Sequence, residues 1–307
     1  MSRTLFNLCF VAVFLTGPAY ADRPQVAVDI APVHSLVAQV MDGIAAPDLI
    51  IQPGATPHEY SLRPSEAAAL QSADIVFWIG PDLTPWLAEA IETLAPTAAL
   101  TPLLDVDGAI QLEFRDNAVF KAHDHSNHDD HDDHDDHDPH AWLSPKNAMT
   151  WLDVIASRLS DVDPVNSDAY LANAASGRAA IEVLMDDVET TLASVRGREF
   201  IVFHDAYQYF ETDFDFPASG AISMSDASDP SPARIAEIRG EITEHGVACV
   251  LAEPQFNPGL VATVLRGSDA RMGIVDPLGA ELELGPKFYP QLIRSLSRAL
   301  TECMRSD

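Results

Sequence analysis

Positive charge is scarce in this chain of 307 residues: 18 Lys and Arg stand against 47 Asp and Glu, a formal net charge of −29. A field of that sign repels nucleic acid and anionic lipid and attracts cations. Long apolar runs are lacking as well. The stretch from Leu5 to Leu15 is shorter than the roughly 20 residues a bilayer-spanning helix needs. No GxxxxGK[ST] loop occurs, so nucleotide hydrolysis by a P-loop is left out, and no HExxH occurs, which removes the usual zinc-peptidase helix. Cysteine is rare, with three in the whole chain.

What is present begins with an export pattern. Arg3 gives a positive start, the Leu5–Leu15 run follows, and Ala19-Tyr20-Ala21 is a small-x-small cleavage site. Cleavage near Ala21 removes Cys9 and leaves a soluble mature chain starting near Asp22. Cys249 and Cys303 then remain, either as a disulfide or as two buried thiols. An oxidising compartment favours the disulfide, which by the chain-entropy estimate would stabilise by about 4 kcal/mol.

Hydrophobic residues make up 47% of the chain, ample for buried cores. Short β-branched runs alternate with Ala/Leu-rich helical patterns, first at 25–30, 48–52 and 74–80, then at 199–203, 247–253 and 271–276. That grammar predicts parallel strands with crossover helices in two α/β lobes. Between them, residues 163–195 carry no strand signal, and Tyr170, Leu171, Ala174, Ile181, Leu184, Met185, Val188 and Leu192 recur at near-helical spacing. One helix of about thirty residues spans roughly 45 Å and ties lobes stiffly; two helices broken near Gly177 are the alternative. The expected organisation is a signal segment over 1–21, a first lobe over 22–162, the helix over 163–195 and a second lobe over 196–307.

Residues 123–138 stand apart, with six histidines and eight aspartates. Such composition predicts a solvated, disordered loop. His123, His125, His128, His131, His134 and His137 are spaced so that a chain can wrap several around one ion, and each such arrangement loses entropy. Weak, multiple cation sites are expected there, or a solvated insertion without function.

Five histidines lie outside the tract: His34, His58, His140, His204 and His245. His58 and His204 follow predicted strands, as does Asp276, and ligands in open parallel sheets sit beyond the carboxyl ends of the strands. His140 comes just before Ser144 and Pro145, an N-cap and first position of a helix, so Pro139 ends the tract and attaches His140 to a folded element. Three imidazoles with a carboxylate or water make a tetrahedral zinc site. Singly, each of these histidines reads more readily as a structural residue than as a ligand, and only their convergence at strand ends brings the two readings level.

The segments GATPHEYSLRPSEAAALQSADIVFWIGPDL, DPHAWLSP after the His/Asp tract, FHDAYQYFE, VLAEPQFNP and VDPLGAELELG, in this order, resemble the ZnuA-type family of zinc-binding periplasmic proteins of ABC importers. The resemblance covers nearly the whole mature chain. It implies two Rossmann-like lobes with parallel sheets, joined by a long rigid helix, with the metal held in the cleft between them. It implies His58, His140 and His204 as ligands and Asp276 at the carboxylate position, with Glu59 or water as an alternative fourth ligand. A histidine at 204 in place of the carboxylate of manganese-binding relatives favours zinc. The resemblance also implies a Cys249–Cys303 disulfide. Asp29 departs from the small residue common in relatives and is expected near the cleft beside the ligands, while His34 is expected to pack. Implied partners are Zn2+ and a membrane permease with a separate ATPase, for a monomeric receptor that catalyses nothing. A periplasmic zinc buffer or donor, and an exported zinc hydrolase using Glu59 as base, are the alternatives. Deletion of 123–137 is expected to leave one tight zinc site of little-changed affinity, measured by calorimetric titration.

Overall fold

The computed structural model describes residues 23–115, 117–120, 137–224, 230–256 and 258–305. The expected export segment lies outside these, as do His123, His125, His128, His131 and His134. No helix among the described residues is long and apolar enough to cross a membrane.

Two four-stranded parallel sheets organise the described chain. The first has the order β2-β1-β3-β4, formed by β1 (Val26–Val28), β2 (Asp48–Leu49), β3 (Ile75–Trp78) and β4 (Ala99–Pro102), with α1 (Ala31–Val40), α2 (Pro64–Ser72) and α3 (Pro85–Leu94) between them. Every residue of β1 and β3 is buried, as expected of strands covered on both faces. The second sheet repeats the pattern as β6-β5-β7-β8, with β5 (Phe200–His204), β6 (Gly220–Ser223), β7 (Cys249–Ala252) and β8 (Arg271–Ile274). Its helices are α6 (Gln208–Phe214), α7 (Pro232–His245) and α8 (Pro258–Leu265). In each sheet the chain reverses its direction of progress between the two central strands, which opens a crevice at their carboxyl ends.

The helical connection consists of α4 (Pro145–Val162), a 3-10 turn at 164–166, and the 26-residue α5 (Ser167–Leu192). Tyr170, Ala174, Gly177, Ile181, Leu184, Val188 and Leu192 form its buried seam, while Leu171 faces solvent. Gly177 does not break this helix. A Cβ there would stand 2.9 Å from Leu152 of α4 and 3.0 Å from Gln39 of α1, so its missing side chain permits a tight three-helix crossing. The last helix, α9 (Phe288–Met304), packs against α5 and α1 as well as β7 and β8. One hydrophobic core therefore runs through both lobes, and a smaller cluster under α7 and α8 covers the outer face of the second sheet. Cys249 and Cys303 form a disulfide that fastens β7 to α9, with Cα atoms 5.7 Å apart.

Two of these strands carry no clear sequence signal. β4 (ALTP) and β6 (GAIS) are edge strands of four residues, containing Pro102 and Gly220. Gly220 leaves room for the carbonyl of Ala118, which a Cβ would meet at 2.4 Å.

Asp29, expected near the metal ligands, has a different task. It follows β1, and its carboxylate accepts the backbone N–H groups of Ile30 and of Ile79, beyond β3, each at 2.7 Å. Full burial raises its carboxyl from 3.8 to about 7, against the pull of these N–H groups. The folded chain thus holds this proton more tightly than the unfolded one. The resulting stability is complete below about pH 4 and is lost as pH rises through 7. Asp29→Asn sets an amide NH2 against one N–H. It is expected to lower stability by about 1–3 kcal/mol at pH 4, with the gap to wild type narrowing toward pH 8, as measured by urea unfolding of the metal-free protein.

Candidate metal centre

Each of the three histidines singled out in the sequence is delivered by a short, anchored segment. His58 sits in the loop after β2, where the Trp86 indole donates to the carbonyl of the neighbouring Pro57 at 2.8 Å. His140 precedes a 3-10 turn and α4, whose N-cap Ser144 accepts from Asn147 N at 3.0 Å. His204 is the last residue of β5. All three line one pocket, shared with Thr56, Trp142, Glu253 and Gln255.

Within it the rings are close. His58 and His140 have centroids 5.6 Å apart, and His140 and His204 5.2 Å. The Nε2 atoms of His140 and His204 are separated by 3.4 Å. On the far side of each ring, Nδ1 meets a buried carboxylate, Asp138 for His140 and Glu253 for His204, both at 2.7 Å. A carboxylate in its ionised form only accepts, and with such a partner Nδ1 carries the hydrogen and Nε2 presents its lone pair. Two imidazoles on one tetrahedral zinc place their nitrogens about 3.3 Å apart, from Zn–N bonds of about 2.0–2.1 Å. The observed separation matches that edge.

Burial raises the Asp138 carboxyl to about 7, opposed by the His140 backbone N–H, Arg115, His204 and His58. A divalent cation held by His140 would favour its ionised form. Among the described residues no group of three or more His, Cys, Asp or Glu side chains stands at closed metal-binding distances. The His140–His204 pair is set, and the His58 ring lies beside that of His140, with centroids 5.6 Å apart.

The other expected residues fall elsewhere. Asp276 accepts from Gln255 Nε2 and from the backbone N–H groups of Leu278, Gly279 and Ala280. Glu59 is exposed and outside the pocket lining. His34 is buried in α1 with Nε2 3.2 Å from the Pro47 carbonyl. The tract boundary needs correction: His137 pairs with Glu113 in an isolated antiparallel bridge, and Asp138 is almost fully buried. Asp138 escapes notice in the sequence because its composition matches the run before it. The signal lies in its place, two residues before His140, where one carboxylate oxygen accepts both the backbone and the ring N–H.

Residues 112–115 and 117–120 reach across to the second lobe. Leu112 N donates to the Tyr209 hydroxyl, and Arg115 binds Asp205 and Glu211. Phe120 N donates to the Ser219 carbonyl at 2.8 Å, and Ala221 N of β6 donates to the Ala118 carbonyl at 3.0 Å. The described chain resumes at His137, beside Glu113, so the described segments on either side of 121–136 are each held by backbone pairing, Val119 to Gly220 and His137 to Glu113.

The family model described as "Zinc-uptake complex component A periplasmic" (ZnuA) matches residues 26–303. A relative from Brucella abortus, named "High-affinity zinc uptake system protein ZnuA", is 40% identical over 331 aligned positions, covering 98% of this chain and 99% of its own. The chain belongs to the ZnuA family. Among solved structures, a crystal structure of ZnuA aligns with a TM-score of 0.77 at 22% identity, over 92% of this chain and 100% of that one. The solute-binding protein FpvC from Pseudomonas aeruginosa, solved with Mn2+, aligns with a TM-score of 0.75 at 17% identity, over 92% of this chain and 98% of its own. Both likenesses concern the fold. For this member of the ZnuA family, Asp138→Asn is expected to weaken zinc binding about 10- to 100-fold, since an amide orients His140 without charge. Competition against a zinc chelator dye measures it.

Proposed function

We propose that this chain is the periplasmic zinc receptor of an ABC importer, exported by removal of the segment through Ala21. It holds one Zn2+ as cargo on His58, His140 and His204. The observation that carries this reading is the His140–His204 pair, with Nε2 atoms 3.4 Å apart and Nδ1 positions occupied by Asp138 and Glu253. Two lone pairs at that distance repel unless a cation or a proton lies between them. The nitrogen-rich donor set favours zinc over the harder manganese.

The fourth place falls to water. Asp276 already accepts four hydrogen bonds, and Glu59 is exposed outside the pocket lining. The pocket carboxylate Glu253 is engaged with His204, which supports carriage of the ion rather than hydrolysis on it. The receptor delivers its zinc to a membrane permease driven by a separate ATPase. Its net charge of −29 draws the cation in.

Calorimetric titration tests the reading. One tight zinc site is expected, and His140→Ala should weaken it at least about 100-fold by deleting a ligand and leaving Asp138 buried without its partner. Protons compete with the metal for the three imidazole nitrogens, and a free imidazole side chain titrates at about 6.5, so affinity should fall steeply below about pH 6. Unchanged binding at pH 5, or in His140→Ala, would sink the assignment.

A further inference from the structure

Gln255 lies just beyond β7, two residues after Glu253, and its side chain lines the histidine pocket. Its Nε2 donates to Asp276 Oδ1 at 3.0 Å. Asp276 is itself held by the backbone N–H groups of Leu278 and Gly279, both at 3.0 Å, and of Ala280 at 2.7 Å. A carboxylate gripped by that many donors fixes the amide opposite it. Were the amide turned over, its oxygen would face the carboxylate oxygen, acceptor against acceptor. Oε1 therefore points away from Asp276. Among the described residues it is buried and has no hydrogen-bond partner.

A buried acceptor calls for a donor. Three imidazoles leave one position of a tetrahedral zinc to water, and water bound to zinc is a strongly polarised donor. We infer that Gln255 Oε1 receives the hydrogen bond of the water that completes the zinc site, and that Asp276 acts through Gln255 by fixing its amide. This inference rests on the reading of the pocket as a zinc site. Gln255 is then a positioning residue, and Asp276 supports it from behind without touching the ion. The chain of contacts runs from the 278–280 backbone through a carboxylate and an amide to the metal-bound water.

Cobalt(II) in place of zinc makes the bound water visible, because the absorption spectrum changes when that water ionises. An acceptor stabilises bound water more than bound hydroxide. Gln255→Leu is therefore expected to lower the pH midpoint of the spectral change by about half a unit or more and to weaken zinc about tenfold. Gln255→Glu, an anionic acceptor, should raise the midpoint, or abolish the change by binding the metal in the water's place. Opposite responses of the two variants, with metal-free melting temperatures near wild type, support the inference. Gln255→Asn, too short to reach from Asp276 to the water, replaces the Leu variant if that one fails to fold, with the same downward shift expected. Identical midpoints in wild type and variants overturn the role of Gln255 and leave the three-histidine site standing. Failure of the wild type to hold either metal, or tight binding retained in His140→Ala, overturns the zinc-site reading and this inference with it.

Discussion

Two imidazole nitrogens kept 3.4 Å apart in a buried pocket are the constraint on which the rest of the site depends. Without restraint, the rings would turn to find donors. Asp138 and Glu253 prevent this by taking the opposite nitrogens at 2.7 Å, so each ring is held by its back and shows its basic face inward. Both carboxylates are nearly inaccessible to solvent, where the hydrogen bond is strong, and for Asp138 burial makes the ionised form costly. A cation in the pocket settles both demands at once. The arrangement is thus poised toward a positive guest.

Such poise requires a frame that does not yield. His140 comes from the first lobe and His204 from the second, and their spacing is only as good as the fit between the two halves. The core that runs through α1, α4, α5 and α9 into both sheets supplies that fit. Hydrogen bonds reinforce it close to the site. The Trp142 indole donates to the Pro277 carbonyl at 2.9 Å, the Tyr289 hydroxyl to the Trp142 carbonyl at 3.0 Å, and the Ser144 hydroxyl to Asp213 at 2.8 Å. The manganese-loaded FpvC shares this fold.

Much of this is legible in the sequence. Of the six apolar runs that form strands, β1, β3, β5 and β7 are central and buried throughout, while β2 and β8 are part-exposed edges that their apolar runs still mark, because such content is a local property. His58, His140 and His204 can be picked out because strand ends and a helix N-cap have recognisable signatures. The two edge strands without a signal draw their order from backbone pairing with a neighbour, which leaves little trace in four residues containing a proline or a glycine. Asp138 and Gln255 are illegible for another reason. Their roles come from what lies opposite them in space: the ring of His140, and the carboxylate of Asp276. Asp29 misleads similarly, since only the packing of β1 beside β3 brings the Ile79 N–H to its carboxylate.

The two sheets repeat one strand order, and each has a crevice between its central strands, yet the halves use it differently. Beyond β5 and β7 the crevice is bridged by two side chains, His204 and Glu253, the first of which turns its Nε2 outward to the ring of His140. Beyond β1 and β3 it is bridged by Asp29 gripping main-chain groups on both sides. The first crevice is stitched shut, and any guest lodged there would have to unpick the stitch. Twin architecture has thus ended in a division of labour, with one half closed upon itself and the other left open to receive.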